Sequence, residues 1–289
     1  MSIQNTKFSK TEILNDYYLA TLSRQISLMG RKEVLTGKAK FGIFGDGKEL
    51  AQIALAKFYK DGDWRSGYYR DQTFMMAVGA FSAEEFFAQL YGQTDVKLNP
   101  GNAGRTFNNH FATRSLNDDG TWKDLTKQRN STPDISPTAG QMPRLLGLAW
   151  ASKLFRDNKE LSKYNKFSNG GNEVAFGTIG DASTSEGHFW ETMNAAAVMQ
   201  VPMALAVWDD GYGISVPREY QTAKGSISEL LKGFEKGEKD STGIVLYKVK
   251  GWDYPTMIAT FAEGVERARK EHVPVVFHVT EITQPQGHS

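Results

Sequence analysis

Three aspartates stand where they could do chemistry. Asp181 lies in Gly180-Asp181-Ala182-Ser183-Thr184-Ser185-Glu186-Gly187, and Asp209 and Asp210 lie in Trp208-Asp209-Asp210-Gly211-Tyr212-Gly213-Ile214-Ser215. Each run follows an apolar stretch with the character of a strand, and one helical stretch separates them. Carboxylates, backbone carbonyls and phosphate oxygens together suit a hard divalent cation such as magnesium or calcium. Gly180 and the small Ala182 let a ligand approach the backbone closely. Ser183, Thr184 or Ser185 can cap the next helix, whose first amides favour an anion such as phosphate. Either run alone reads as an ordinary turn. Together, across one strand–helix–strand unit, they read as a cradle for a metal and a diphosphate.

The elements that must hold this cradle follow from periodicity. Leu14, Tyr18, Leu22 and Ile26 recur at helical spacing, and helices are also expected over 49–59, 81–91, 145–155, 185–199 and 256–270. Apolar strands are expected over 173–179, 202–208, 244–249 and 273–280. Strands that are apolar on both faces and alternate with helices argue for a mainly parallel sheet covered on both sides, a three-layer αβα sandwich. Right-handed crossovers put every carboxyl end on one edge, where ligands of open α/β sheets bind. Residues 95–137, rich in Asn, Asp, Gly, Thr and Pro, read as a long excursion over the surface. Gly42-Ile43-Phe44-Gly45-Asp46-Gly47 is glycine-rich but lacks a strand–turn–helix context, so a loop leading into the helix at 49 is the better reading.

Composition removes several classes. The 289 residues are 40% hydrophobic and 23% charged, with a net charge of +1, so nothing points to nucleic acid or an acidic membrane as partner. No apolar run is long enough to span a bilayer, and the polar start has no signal core, which makes a cytoplasmic location the expectation. The chain has no cysteine, which excludes disulfides, thiolate metal sites and a cysteine nucleophile. No histidine spacing suggests zinc, and no Gly-Xaa-Ser-Xaa-Gly elbow is present. Phe81, Phe86, Phe87 and Tyr91 read as core, and His188 as a solvated side chain.

The two aspartate runs resemble the thiamine diphosphate motif of the alpha subunit of the 2-oxo acid dehydrogenase first component (pyruvate, branched-chain and acetoin types). In that family the first run commonly reads Gly-Asp-Gly-Ala-Thr-Ser-Glu-Gly and the second Asn-Asn-Gly-Tyr-Ala-Ile-Ser. Tyr68-Tyr69-Arg70-Asp71 is similar to its Tyr-Arg segment. Ser136-Pro137 with Gln141-Met142-Pro143 resembles its Ser-Pro-Leu…Gln-Xaa-Pro segment. Gln286-Gly287-His288-Ser289 resembles the Gly-His-Ser of its active-site loop. The match runs from about residue 49 to the last.

The resemblance implies a thiamine diphosphate-binding fold over 1–289, a single domain on the diphosphate and metal side. It implies a chain truncated at its C-terminal end or forming the front half of a fused alpha–beta protein. Asp181 and Asp210 would hold magnesium by side chain and Tyr212 by its carbonyl. Gly180, Ala182 and Ser183 would meet the diphosphate, with Glu186 nearby, and Tyr69 and Arg70 would bind its oxygens. Ser136 and Ile214 would flank the aminopyrimidine and the bend of the cofactor. His288, and at the cleft mouth His110, would serve catalysis. The reaction implied is oxidative decarboxylation of a 2-oxo acid with acyl transfer to a lipoyl-bearing acyltransferase. A beta subunit or domain supplies the missing glutamate within a heterotetramer.

Two departures set this chain apart. Ala182 replaces a glycine, tolerable where only small size and negative φ are needed. Asp209-Asp210 replaces Asn-Asn and adds negative charge beside a diphosphate, which is expected to weaken cofactor binding or alter metal preference. They motivate an alternative, a non-catalytic scaffold or regulatory relative. A transketolase-like carboligase is a further alternative, disfavoured because transketolases carry both cofactor-binding domains in one long chain.

Overall fold

The computed structural model describes residues 8–288. The polar start at 1–7 and Ser289, the last residue of the Gly-His-Ser match, lie outside the described residues. Eight α-helices occur among the described residues: α1 (Lys10–Leu35), α2 (Glu49–Ala56), α3 (Gln72–Ala77), α4 (Ala83–Leu90), α5 (Met142–Asp157), α6 (Gly187–Met199), α7 (Ile227–Leu231) and α8 (Tyr254–Glu271). The strands are β1 (Trp64–Ser66), β2 (Asn130–Ser131), β3 (Ala175–Gly180), β4 (Met203–Trp208), β5 (Tyr212–Gly213), β6 (Val216–Pro217), β7 (Val245–Lys250) and β8 (Val275–Thr280).

Six strands form one parallel sheet in the order β2-β1-β3-β4-β8-β7, and β5 and β6 make a small antiparallel ribbon. β4 is buried at every position and β3 and β8 at nearly every one, as expected where helices cover both faces. Each fully buried valine, leucine or isoleucine there stabilises the fold by roughly 1.5–3 kcal/mol. Phe176, Ala204, Val275 and Phe277 join a core with α1–α4 and α8 on one face. Ala175, Ile179, Leu205, Val207 and Val276 pack against α5–α7 on the other. The arrangement is the three-layer αβα sandwich that the alternating pattern implies. No helix among the described residues is long and apolar enough to cross a membrane.

The structure differs from the sequence reading at three places. β1, β2 and α3 were not foreseen, because strands of two or three residues carry no readable period. Residues 95–137 do not simply cross the surface. They supply β2 at the sheet edge and bury Asn108, Asn109, His110 and Phe111. Ser183, Thr184 and Ser185 do not cap α6. They form a short 3-10 turn, Thr184 Oγ1 donates back to the Asp181 carbonyl at 2.6 Å, and the cap position falls on Glu186 with no side-chain hydrogen bond.

The chain reverses direction across the sheet between β1 and β3: β1 runs outward to β2, and β3 inward to β4, β8 and β7. Such a switch point opens a crevice at the carboxyl edge.

Candidate functional site

Every motif in the sequence arrives at that edge. β1 leads to Tyr68, Tyr69 and Arg70, β2 to Ser136, β3 to Asp181, β4 to Asp209 and Asp210, and β8 to His288.

The first two loops are tied together by a buried arginine that the sequence reading missed. Arg65, 1% exposed, donates to Asp71 Oδ2 at 2.6 and 2.9 Å, to both oxygens of Asp134 at 3.0 Å and to the Tyr68 carbonyl at 3.1 Å. Thr178 of β3 donates to the same Asp71 oxygen. Burial pushes the Asp134 carboxyl up to about 6, against the pull of Arg65. Burial alone would lower the arginine, but the two aspartates outweigh it and raise it. This hub fixes where Tyr69, Arg70 and Ser136 emerge.

Tyr69, His110 and Ser136 then form one wall. The Tyr69 and His110 rings stack with centroids 6.2 Å apart. His110 Nδ1 lies 3.2 Å from the Asn108 carbonyl, which accepts only, so Nδ1 carries the proton. Nε2 therefore accepts from the Ser136 hydroxyl at 2.9 Å. Burial lowers the His110 pKa and favours this neutral form. Arg70 lies over the Tyr69 ring, donates to the carbonyl of Phe44, and at 3.2 Å to that of His288.

The three aspartates have three different environments. Asp209 is paired with Arg218 at 2.9 Å and with His278 Nε2 at 2.8 Å. Burial would raise it, but these two partners hold it below the usual carboxylate range. Asp210 receives the Lys48 ammonium at 2.8 Å and His288 Nε2 at 3.0 Å on Oδ2, and the Tyr212 amide at 3.2 Å on Oδ1. Burial opposes its ionisation, yet His288 and Lys48 bring it down to about 2. Asp181 is 2% exposed and has no ion-pair partner among the described residues. Burial, reinforced by Asp209 and Asp210, pushes it up to about 8.

The remaining expected residues fall into two groups. Ile214 and His288 are together: the Ile214 amide donates to His288 Nδ1 at 3.1 Å. Asp210, Tyr212, Ile214 and His288 line a cavity of about 350 Å³. Ile214 is 71% exposed and has φ of 57°, a left-handed conformation that a β-branched residue rarely holds without a reason. Gly180 sits under the Tyr68 hydroxyl, which is buried without a hydrogen-bond partner. Ala182 keeps a negative φ as expected, and its methyl lies where a side chain on Gly213 would have to go. Ser183 is half-buried beside Gly180. Glu186 is exposed at the start of α6, with no partner to bring it toward the crevice.

Lys48 is the functional residue most fully missed. It stands at the cap position of α2, where a surface charge would be ordinary, but it is 1% exposed. The loop before it threads between two other segments. A Cβ on Gly45 would come within 2.4 Å of the Arg70 carbonyl, and one on Gly47 within 1.9 Å of the Thr283 carbonyl. Only glycine fits, and the loop thereby aims Lys48 at the β4 end. The glycine-rich run serves that approach and is not a nucleotide loop. His278, inside β8, is a second such residue. It holds Asp209, and its Nδ1 meets Ser228 at 3.0 Å.

The arrangement fits a divalent cation bound with a diphosphate. Among the described residues no three His, Asp or Glu side chains could hold a metal by themselves. Magnesium in phosphate sites takes one or two carboxylates and fills its shell from phosphate and water. Asp181, a buried carboxylate without a cation, offers that place, and the orphaned Tyr68 hydroxyl offers a polar contact beside it.

Comparison with known proteins agrees with this geometry. The family model described as "Dehydrogenase E1 component" matches residues 17–282. The chain is 26% identical over 270 residues to the 2-oxoisovalerate dehydrogenase subunit alpha of Bacillus subtilis, covering 92% of this chain and 69% of that protein. It is 26% identical over 274 residues to the pyruvate dehydrogenase E1 component subunit alpha of Acholeplasma laidlawii, covering 93% and 64%. With the mitochondrial 2-oxoisovalerate dehydrogenase subunit alpha of Bos taurus identity is 24% over 277 residues, covering 96% and 52%. The chain thus spans between about half and about two thirds of the length of these relatives. A sheet edge where three aspartates converge beside a chain reversal, and a family match over nearly the whole chain, lead to one assignment: this chain belongs to the dehydrogenase E1 component family, among the alpha subunits of 2-oxo acid dehydrogenases.

Proposed function

We propose that this chain binds the diphosphate of thiamine diphosphate, with magnesium, for the oxidative decarboxylation of a 2-oxo acid. Asp181 and Asp210 would hold the metal by side chain and Tyr212 by its carbonyl. Arg70 and Tyr69 would meet the diphosphate. The single observation that carries the reading is Asp181, a buried carboxylate with no cation, at the carboxyl edge beside the chain reversal.

The bound cofactor would supply the nucleophilic carbon and the electron sink. The protein's share is placement and proton control. His110, protonated at Nδ1, presents an Nε2 acceptor toward Ser136. His288 is held at both ring nitrogens, by the Ile214 amide and by Asp210. A histidine so fixed keeps one orientation and one tautomer: Nδ1 accepts from the Ile214 amide, so Nε2 carries the proton and donates to Asp210. The aminopyrimidine-activating glutamate would come from a beta subunit or domain, and the acyl group would pass to a lipoyl-bearing acyltransferase. A cytoplasmic location goes with this reading.

The test is calorimetric titration of thiamine diphosphate and magnesium into the chain, alone and with its beta-type partner. Saturable one-to-one binding that is lost in Asp181→Ala is the expected result. A folded chain that binds neither alone nor with the partner would turn the assignment to a non-catalytic relative. That second reading draws on Asp210, whose oxygens already carry three protein donors.

A further inference from the structure

We infer that Lys48 is an internal counter-ion that lets an aspartate stand at position 210, so that the crevice meets a metal and diphosphate with Asp181 as its one uncompensated carboxylate. The inference rests on the functional reading above.

Three aspartates converge at the ends of β3 and β4, and two of them are neutralised by the protein itself. Arg218 answers Asp209 at 2.9 Å, and Lys48 answers Asp210 at 2.8 Å. The second pairing is the unusual one. Its two side chains are 1% and 4% exposed, so neither charge has water to fall back on. Removing one partner of such a pair leaves a buried charge alone, whereas replacing both by neutral groups is far better tolerated.

Lys48 is also held from its other side. Its ammonium donates to Gln284 Oε1 at 2.7 Å, and the Gln284 amide donates to Asp46 Oδ1 at 2.9 Å. The ammonium therefore cannot swing to Asp181. The Lys48 ammonium is thus committed to Asp210, and Asp181 keeps no ion-pair partner among the described residues. A carboxylate with an ammonium on one oxygen presents its other oxygen as a nearly neutral ligand, close to what a side-chain amide would offer. Aspartate at 210 thus carries no excess charge toward a diphosphate, and the expectation from composition alone, that it weakens cofactor binding, does not hold while Lys48 is in place.

Four proteins test this: wild type, Lys48→Gln, Asp210→Asn and the double variant, each assembled with the beta-type partner. The readouts are the calorimetric Kd for thiamine diphosphate at saturating magnesium, and the thermal midpoint without cofactor. Lys48→Gln is expected to weaken binding by roughly 10- to 100-fold, from the bare charge it leaves on Asp210. The double variant is expected to return within about threefold of wild type, the signature of a coupled pair. If Lys48→Gln does not fold, the double variant, which buries neither charge, decides: binding within about threefold supports the inference. Lys48→Gln binding like wild type, or a double variant as weak as the single, overturns it while leaving the functional reading intact. A wild type that binds no cofactor with its partner present overturns both.

Discussion

Asp181→Asn should make the metal-free protein more stable while removing its affinity for cofactor. An ordinary aspartate ionises near 3.8 and Asp181 near 8. The folded chain therefore holds this proton more tightly than the unfolded chain. The contribution of the carboxyl to stability is complete below about pH 4 and is lost as pH rises through 8. At ~1.4 kcal/mol per pH unit, the loss approaches roughly 5 kcal/mol at pH 8 and is ~1–2 kcal/mol at pH 5. Local relaxation and water entry reduce the first figure to ~2–4 kcal/mol. Asparagine is isosteric and is never charged. The variant should then melt roughly 4–8 °C above wild type at pH 8 and within ~3 °C of it at pH 5. Circular dichroism melts from pH 5 to 8.5, without metal or cofactor, measure this directly. A variant no more stable at pH 8 than at pH 5, relative to wild type, would refute the account of Asp181 as an uncompensated charge. The same melts with magnesium and thiamine diphosphate should stabilise wild type at pH 8 and leave the variant unmoved.

Arg65→Met leaves Asp71 and Asp134 facing each other without their cation and should cost about 3–5 kcal/mol, read by urea unfolding; a loss below ~1 kcal/mol would contradict its role as the hub of the β1 and β2 loops. Ile214→Gly removes a left-handed β-branched residue that buries little surface, so the midpoint should rise by the equivalent of ~1 kcal/mol while cofactor affinity falls; a lower midpoint would mean that the conformation is not strained. His272, lowered to about 4 by burial although its hydrogen bond to the Gly171 carbonyl pulls the other way, binds its proton less readily folded than unfolded. Its effect is to make stability fall as pH drops from 6.5 toward 4, by ~1–2 kcal/mol after screening. His272→Asn should flatten that acid limb, and an unchanged slope in acid melts counts against it.

The long strands were legible because apolar runs bounded by turns have few other uses: β3, β4, β7 and β8 were all expected, with no end more than two residues away. Helix α6 showed its inward face through Phe189, Met193, Ala196 and Ala197, all buried. Asp181 could be singled out as following a strand. Its lack of a cation could not, since that depends on where Lys48 and Arg218 go. Lys48 meets Asp210 across 162 positions, and no local pattern reports such a pairing. β1 was hidden because its middle residue is Arg65, a charge that belongs in the interior only when Asp71 and Asp134 fold around it. Composition likewise could not separate Asp209 from Asp210, whose different duties are set by His278 and Lys48.

The crossing of the Gly47 loop with the segment around Thr283 has a kinetic meaning. Lys48 joins Gln284 over 236 positions, and Arg31 reaches the Gly287 carbonyl over 256. Closing loops of that length costs ~5 kcal/mol of chain entropy, returned only when the contacts at both ends are made. The sheet can form from nearer neighbours, since β3, β4 and β8 bring their own burial. The crevice cannot, because its histidine and its counter-ion come from distant parts of the chain. Folding should therefore deliver a finished core with an open edge first and seal that edge last. The exposed Arg31 bond at that edge should open in the native protein before the buried Lys48 pairing does, giving ligand a way in without unfolding the sheet beneath.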